Sequence, residues 1–325
     1  MAALDMDCDL LTRFETMLDP RHLEKVDIPA RVIGYGEIST VLEIGTAGAS
    51  APAYKRVPIF RNEHEVNCYE SLYREYIQTL CDHIGIQVVP SDMARIIDER
   101  HNRVVVYIVQ EKLAIDSIAH KAIHHLQPQD VNRLVLAILM ELSKLFDFNQ
   151  RNKGTLELGI DGQISNWAIV HFNPASTVLD EKINLLYIDT STPLMRKDCK
   201  EQVDTEPFLR SAPSFLVWLL RWFFIEDLKT RYYDFRKVTI DLIANFYKEQ
   251  RPELIPGLLE TVNGFFSAQI QGGEFKPLTI EEIQAYYRED VWIWRLYLAF
   301  RKVDRFLHNL VGKYYPYILP EKIKR

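Results

Sequence analysis

Several features that assign a protein to a class at sight are scarce or missing in this chain of 325 residues. The chain has only four cysteines, at positions 8, 68, 81 and 199. They form no CxxC motif and no series of close pairs, which argues against a zinc knuckle or a disulfide scaffold and favours a reducing compartment. Basic residues are also fewer than acidic ones, with 39 Lys and Arg against 45 Asp and Glu. The net charge is -6, so a general affinity for nucleic acid or for an anionic membrane is not expected.

Targeting signals and long hydrophobic runs are missing as well. The N-terminal stretch MAALDMDCDLLTRFETMLD is acidic and lacks the basic region and apolar core that a signal peptide requires. The most apolar run, FLVWLLRWFFI at residues 215–225, is interrupted by Arg221 and has about half of the roughly 20 residues that a membrane helix needs. We therefore predict a cytoplasmic protein without membrane insertion, in which this run forms a buried helix.

The composition that remains is that of an ordinary globular protein. Hydrophobic residues make up 47% and charged residues 26% of the chain, so it can bury a core as one large domain or as two lobes. After an amphipathic helix at residues 7–26, the pattern predicts an antiparallel meander of three strands, a helix with one buried face, and two more strands. The segments are RVIGYGE, STVLEIG, AYKRVPIF, NEHEVNCYESLYREYIQTLCDHIG, VVPSDMARIID and RVVVYIVQ.

From about residue 114 the chain is predicted to be mainly helical. A long buried helix begins near Pro128, because apolar residues recur at helical spacing as far as Leu145. Two short strands, WAIVHF and INLLYIDTS, follow or overlap the stretch IDGQISNW. Beyond about residue 206 we expect helices rich in Tyr, Trp and Phe, with most of these aromatic side chains in the core.

The first segment with chemical interest is GYGEISTV, residues 34–41, at a turn between two strands. Gly34 and Gly36 allow the backbone to approach a phosphate closely, and the flanking strands can fold the turn over a nucleotide. An ordinary hairpin bend is the alternative. Ser39 replaces the third glycine of the usual fingerprint and a strand follows, so a dinucleotide-binding turn of the Rossmann type is not favoured.

The second candidate for a chemical role is Lys55, which precedes Arg56 in the third predicted strand. Successive residues of a strand face opposite sides, and the strand alone does not tell which of the two points outward. On the following helix, Glu70 lies on or beside the face that carries Val66 and Tyr73. Because a carboxylate on a buried face needs a cation, we predict a Lys55–Glu70 ion pair that holds the ammonium ready for phosphate oxygens.

The third group comprises Asp161 and Asn166 in IDGQISNW, together with Asp189 at the end of the next strand. All three fall at or just beyond the ends of successive elements, where side chains converge above a hairpin. Carboxylate and amide oxygens around one loop suit a hard divalent cation, with a nucleotide supplying further oxygens. Each residue taken alone also fits an ordinary turn.

Taken together and in this order, these residues resemble the protein-kinase-like fold. The motifs are G-x-G-x-x-S-x-V at residues 34–41, A-x-K ending at Lys55, D-x-x-x-x-N from Asp161 to Asn166, and the strand-end Asp189. They cover roughly residues 28–195. Because no A-P-E signature follows Asp189, the sequence is more similar to the aminoglycoside phosphotransferase and choline kinase branch, whose members phosphorylate small molecules.

The resemblance implies an α+β, bilobal protein-kinase-like fold. Residues 28–112 would form a small N-lobe, an antiparallel sheet with one helix. Residues 113–325 would form a large, mainly helical C-lobe that contains a catalytic-type loop at 159–191. Residues 1–27 would be an N-terminal helical extension.

The resemblance also implies a function, which is phosphate transfer from ATP, with Mg²⁺, to a hydroxyl of a small molecule. Asp161 would orient and deprotonate that hydroxyl, and Asn166 and Asp189 would bind Mg²⁺. Lys55, paired with Glu70, would contact the α- and β-phosphates. The remaining nucleotide contacts would come from Gly34, Gly36 and Ser39 over the phosphates and from the hinge residues Gln110, Glu111 and Leu113 beside the adenine.

The chain departs from the family pattern within the loop. Gly159 stands where the family has a His, and Gln163 stands where a Lys or a His supplies a cation to the transferring phosphoryl group. Thr-Ser follows Asp189 in place of Phe-Gly. Two alternatives therefore stay open: a pseudokinase that binds nucleotide or a protein partner without phosphate transfer, and an unrelated α+β binding protein.

Overall fold

The structure is a computed structural model that describes residues 6–36, 38–45, 51–210, 230–269 and 276–320. The apolar run at residues 215–225, for which we predict a buried helix, lies outside these ranges. Within them the chain is an α+β protein, with an antiparallel sheet in its first third and mainly helices in the rest. No helix among the described residues is both long and apolar enough to cross a membrane.

The five predicted strands form one antiparallel sheet. Its spatial order is β1-β2-β3-β5-β4. The three-strand meander is confirmed, and β5 then pairs with β3 on one side and with β4 on the other. The strands are β1 (Ala30–Tyr35), β2 (Thr40–Ile44), β3 (Ala53–Phe60), β4 (Ser91–Asp98) and β5 (Arg103–Gln110).

Both faces of the sheet are covered, which explains the nearly continuous apolar sequence of β5. Helix α1 (Cys8–Met17) packs Leu11 and Phe14 against one face, and helix α2 (Glu63–Gln78) packs Val66 against the other. The first helix is shorter than the predicted span of residues 7–26. It ends at Met17 because Pro20 disfavours helical backbone at the residue before it, and only a single 3₁₀ turn follows, at Leu23–Lys25.

The rest of the described chain is organised around the predicted long helix, α4 (Pro128–Arg151). Leu134, Ile138 and Leu142 of this helix belong to a core to which later helices also contribute. Trp292 is 64% exposed, so the expectation of buried aromatic side chains is wrong for this residue. The other α-helices among the described residues are α3 (Ala119–Ala122), α5 (Glu206–Leu209), α6 (Phe235–Lys248), α7 (Ile255–Gln269) and α8 (Ile280–Leu310).

Short strands place the polar loop next to the large sheet. β7 (Trp167–Ile169) and β8 (Leu185–Tyr187) form a two-stranded hairpin that begins at the last residue of the stretch IDGQISNW. Gln110 at the end of β5 donates a hydrogen bond from Nε2 to the carbonyl oxygen of Ile188 (2.9 Å). This bond ties the end of the hairpin to the sheet. Three further strands, β6 (Leu156–Leu158), β9 (Met195–Lys197) and β10 (Lys200–Glu201), form a separate small sheet.

Candidate functional site

The two adjacent cations of β3 are both buried, on opposite faces of the sheet. Arg56 donates from Nε to Oε2 of Glu15 on helix α1 (2.8 Å) and from Nη1 to the carbonyl oxygen of Pro316 (2.6 Å). Tyr107 donates a further hydrogen bond to Glu15. This network joins helix α1 to the sheet, so Arg56 has a structural role and Lys55 is the residue that faces the candidate site.

Lys55 forms an ion pair with Asp189. Its Nζ lies 2.7 Å from Oδ1 of Asp189, and the same oxygen accepts a hydrogen bond from Oγ of Ser191 (2.8 Å). Burial by itself would raise the pKa of Asp189, but the charge and the hydrogen bond of Lys55 bring that pKa below its usual value. Asp189 is therefore ionised at neutral pH.

The predicted Lys55–Glu70 ion pair is not formed, and this expectation has to be corrected. Glu70 instead accepts hydrogen bonds from Arg74, at 2.8 Å, and from Arg95 of β4. The physical reason is the orientation of helix α2: Glu70 follows Tyr69, and successive helix residues are rotated by about 100°. Tyr69 is the residue that points towards the site, where its hydroxyl donates to the carbonyl oxygen of Ser191 (2.8 Å).

Asp161 and Asn166 are held in one compact loop. Asn166 donates from Nδ2 to the carbonyl oxygen of Asp161 (3.1 Å), and the side chain of Asp161 accepts the backbone N–H of Gln163 (3.1 Å). Between them Gly162 is packed so closely that a Cβ atom there would lie 2.5 Å from Val238 of helix α6. The glycine is required by this contact, which sets the loop against helix α6.

Two residues that the motifs did not reveal, Asp241 and Arg231, lie behind this loop. The buried Asp241 of helix α6 accepts a hydrogen bond from Nε2 of Gln163 (3.3 Å) and lies 3.1 Å from Nη2 of Arg231. A signal for Asp241 was present in the sequence, because a carboxylate stands in the apolar stretch VTIDLIANF. Its partners could not be identified in the same way, since they come from distant segments.

The surroundings of Asp161 make it an unusually weak acid. Burial, followed by the negative charges of Asp241 and Asp189, raises the pKa of Asp161 to about 7, while Arg231 acts in the opposite direction. Burial also raises the pKa of Asp241, against the charge of Arg231. A carboxyl group with a pKa near neutrality is suited to accept and release a proton at physiological pH.

A cavity of about 250 Å³ joins these groups. Its lining includes Lys55, Asp161, Asn166 and Asp189, the four residues that the sequence motifs predicted for the reaction and the metal. The turn between β1 and β2 contributes Gly36 and Ser39, while helices α6 and α8 contribute Lys248, Trp294 and Tyr297. The cavity is therefore bordered by the sheet, by the polar loop and by the C-terminal helices.

Five of the predicted site residues are not part of the described lining of this cavity: Gly34, Glu70, Gln110, Glu111 and Leu113. At the expected hinge, Gln110 is engaged with Ile188, and the N–H of Glu111 donates to the carbonyl oxygen of Pro90 (3.0 Å). The N–H of Gly36 is likewise used inside its own turn, where it donates to the carbonyl oxygen of Ser39 (2.9 Å). The nucleotide contacts assigned to these residues stay predictions.

The oxygen atoms in the cavity fit a hard cation only as a partial set of ligands. No group of three or more His, Cys, Asp or Glu side chains able to hold a metal ion occurs in the part of the chain that the structure describes. Asn166 and Asp189 would supply an amide oxygen and a carboxylate oxygen. This donor set suits Mg²⁺, which commonly takes one or two protein ligands and completes its shell with waters and phosphate oxygens.

Fold and site together define an α+β protein with a cleft of ionisable residues, and a sequence comparison adds its family. The model of a family described as "Family of unknown function (DUF6206)" matches residues 21–305, so the chain belongs to that family. None of the curated proteins searched matches the chain. A solved structure described as WaaP in complex with acyl carrier protein is similar over 71% of this chain and 89% of that chain, at 13% identity and a TM-score of 0.32.

Proposed function

We propose that this protein has a protein-kinase-like fold and transfers the γ-phosphate of Mg²⁺-bound ATP to a hydroxyl of a small molecule. One observation carries the proposal: Lys55, Asp161, Asn166 and Asp189 line a single cavity, although they come from three separate segments. The proposal is also supported by the antiparallel sheet and its one long helix between β3 and β4, which match the small lobe that the motifs imply.

The residues on the sheet side of the cavity would bind the nucleotide. Bound Mg²⁺ would neutralise charge on the β- and γ-phosphates, and Asn166 and Asp189 are the residues that would hold it. In the structure Lys55 occupies one oxygen of Asp189, at 2.7 Å. We propose that the ammonium turns partly towards the α- and β-phosphates when nucleotide enters, because phosphate oxygens then compete for the same cation.

Asp161 would act as the acceptor base. The acceptor oxygen attacks the γ-phosphorus, the bond from that phosphorus to the β–γ bridging oxygen breaks, and ADP leaves with the electron pair. The proton of the acceptor hydroxyl moves to the carboxylate of Asp161. A pKa near 7, raised by burial and by the charges of Asp241 and Asp189, makes this transfer favourable and allows the proton to return to water afterwards.

A nucleotide-binding pseudokinase is the second candidate, and Gln163 is the observation in its favour. This residue carries no charge where related enzymes have a cation, and its amide donates to Asp241 instead of pointing at a phosphate. Mg²⁺ and Lys55 would then have to stabilise most of the charge on the transferring group. Turnover distinguishes the two candidates, because both bind nucleotide.

The test combines binding and turnover on the purified full chain. Mg²⁺-ATP at about a hundred times its dissociation constant should stabilise the fold by about 2.7 kcal/mol, measured as a rise in melting temperature. Asp189→Ala should abolish the magnesium-dependent part of this rise. Stabilisation without ATP consumption would support the pseudokinase, and an equal metal-dependent rise in the variant would remove Asp189 from the site. No stabilisation of the wild-type protein would contradict both candidates.

A further inference from the structure

We infer that the acceptor is a hydroxyl compound that carries an anionic group, a phosphate or a carboxylate, and that Lys248 binds this group. The inference rests on the proposed function, because it concerns the part of the same cavity that lies away from the residues proposed to bind the nucleotide.

The distribution of charge in the cavity carries the inference. Among the described residues of the lining, the charged side chains are Lys55, Asp161, Asp189 and Lys248. The first three already have roles in the proposed reaction. Lys248 is the charged group of this lining that has no role yet, and its side chain makes no direct ion pair or hydrogen bond among the described residues. Burial raises the pKa of Asp241 on the same helix, and the positive charge of Lys248 acts on that pKa in the opposite direction. A half-buried ammonium that contacts no carboxylate directly can bind an anion.

The nearest candidate for a counter-ion on the same helix is already engaged. Asp241 precedes Lys248 by about two helical turns, which places both on one face of helix α6. Asp241, however, is paired with Arg231 at 3.1 Å and accepts a hydrogen bond from Gln163. Asp241 lies outside the described lining of the cavity, so it acts on Lys248 only through its charge and makes no direct contact with the ammonium group.

The aromatic side chains of the same lining suit an organic acceptor. Trp294 and Tyr297 of helix α8, with Tyr232 before helix α6, present flat aromatic surfaces in the same cavity. Such surfaces pack against the C–H groups of a polyol or another compact ring or chain. The ammonium group of Lys248 in the same lining would orient an acceptor through its anionic group, which leaves a hydroxyl free to approach Asp161.

Cationic acceptors fit this cavity poorly. A quaternary amine can bind to aromatic rings by cation–π attraction, but an aminoglycoside needs carboxylates around its ammonium groups, and the carboxylates among the described lining residues are Asp161 and Asp189. Both are committed to the proposed chemistry, and Lys248 would repel a cation by like charge. We therefore expect the cavity to prefer acceptors whose charge is opposite to that of aminoglycosides and choline.

The test measures binding of simple probes by calorimetry to the full chain saturated with Mg²⁺ and a non-hydrolysable ATP analogue. The probes are glycerol 3-phosphate, glycerate, glycerol and choline, which share hydroxyl groups and differ in charge. We expect glycerol 3-phosphate or glycerate to bind more tightly than glycerol and choline. Lys248→Ala should weaken anion binding by roughly ten- to a hundredfold, the loss expected for a hydrogen bond to a charged group.

Two further variants serve as controls. Lys248→Arg keeps the charge and should retain most of the anion affinity, and Lys237→Ala removes an exposed lysine of the same helix outside this cavity and should change nothing. Far-UV circular dichroism and the melting temperature establish that each variant folds. Equal anion affinity in wild type and Lys248→Ala, absence of anion binding in both, or preferential binding of choline would each overturn the inference.

Two further measurements distinguish anion binding at Lys248 from the proposed phosphate transfer. The anion titrations are repeated without nucleotide, and the effect of Mg²⁺-ATP on melting temperature is measured independently. If anions bind through Lys248 while Mg²⁺-ATP does not stabilise the protein, the phosphotransferase proposal fails and the anion site stands. If Mg²⁺-ATP stabilises the protein but anions bind equally without Lys248, the substrate inference fails alone.

Discussion

Nζ of Lys55 lies 2.7 Å from Oδ1 of Asp189, and this contact links the sheet to the end of the β7–β8 hairpin across 134 positions of sequence. It gives Lys55 a carboxylate partner in place of Glu70, which pairs with Arg74 and Arg95 on the outer side of helix α2. The pair bears on the proposed function, because a cation bound by Asp189 and a phosphate bound by Lys55 would both have to rearrange this contact.

Lys55→Met is expected to weaken Mg²⁺-ATP binding by roughly ten- to a hundredfold. The variant removes a charge-assisted contact to the phosphates and also leaves the carboxylate of Asp189 without its cation. A calorimetric dissociation constant measures the effect. Unchanged affinity would show that Lys55 is only a structural partner of Asp189.

Arg56→Met should act on stability. Arg56 and Glu15 are each 1% exposed at the side chain, so removing the cation leaves a buried carboxylate unpaired and should cost about 3–5 kcal/mol of unfolding free energy. Urea denaturation measures this loss. The matched control is Arg31→Ala, which breaks the Arg31–Glu43 pair at a side chain that is 66% exposed and should cost about 0–1 kcal/mol. Losses of similar size in both variants would contradict the structural role of Arg56.

Asp161→Asn tests catalysis separately from binding. The asparagine retains an oxygen that can accept the N–H of Gln163, so the loop should keep its shape and ATP affinity should stay within a few-fold. The amide cannot take a proton, so steady-state phosphate transfer should fall by roughly two to four powers of ten. Equal turnover in the two proteins would rule out Asp161 as the acceptor base.

The raised pKa of Asp161 predicts a pH dependence of activity. Burial, Asp241 and Asp189 raise this pKa to about 7, and the base must be ionised, so kcat/KM should rise with pH and level off above about 7. Arg231→Met removes a cation that lowers the pKa of Asp161, so the rising limb should move to higher pH. A lower plateau with an unmoved limb would mean that Arg231 acts on the fold rather than on the proton affinity of Asp161.

The same pKa has an opposite consequence for stability. Between the usual carboxyl pKa of 3.8 and about 7, folded Asp161 holds a proton that the unfolded chain has lost, so its contribution to stability falls as pH rises through this window. Asp161→Asn removes this loss. Measured without metal and nucleotide, the melting temperature of the variant relative to wild type should increase from pH 4 to pH 7 and then stay constant. A pH-independent difference would contradict the raised pKa.

The sequence by itself determined the secondary structure of the sheet, the helices α2 and α4, and the residues Lys55, Asp161, Asn166 and Asp189. These features are local. Alternating apolar and polar residues indicate a strand, apolar residues with a period of 3.6 indicate a helix, and polar residues at the ends of elements indicate a loop that could have a chemical function. The shortening of helix α1 also had a local cause, in Pro20.

Only the tertiary structure decided which of these groups meet. Glu70 and Tyr69 are neighbours in sequence, and the rotation of helix α2 against the sheet, not its periodicity, brought the tyrosine to the site and left the glutamate with Arg95. The ion pair of Asp241 with Arg231 and the position of Lys248 in the cavity lining could not be predicted from the sequence either. Ion pairs and cavities depend on distances between segments far apart in the chain, and the pattern along one segment does not contain those distances.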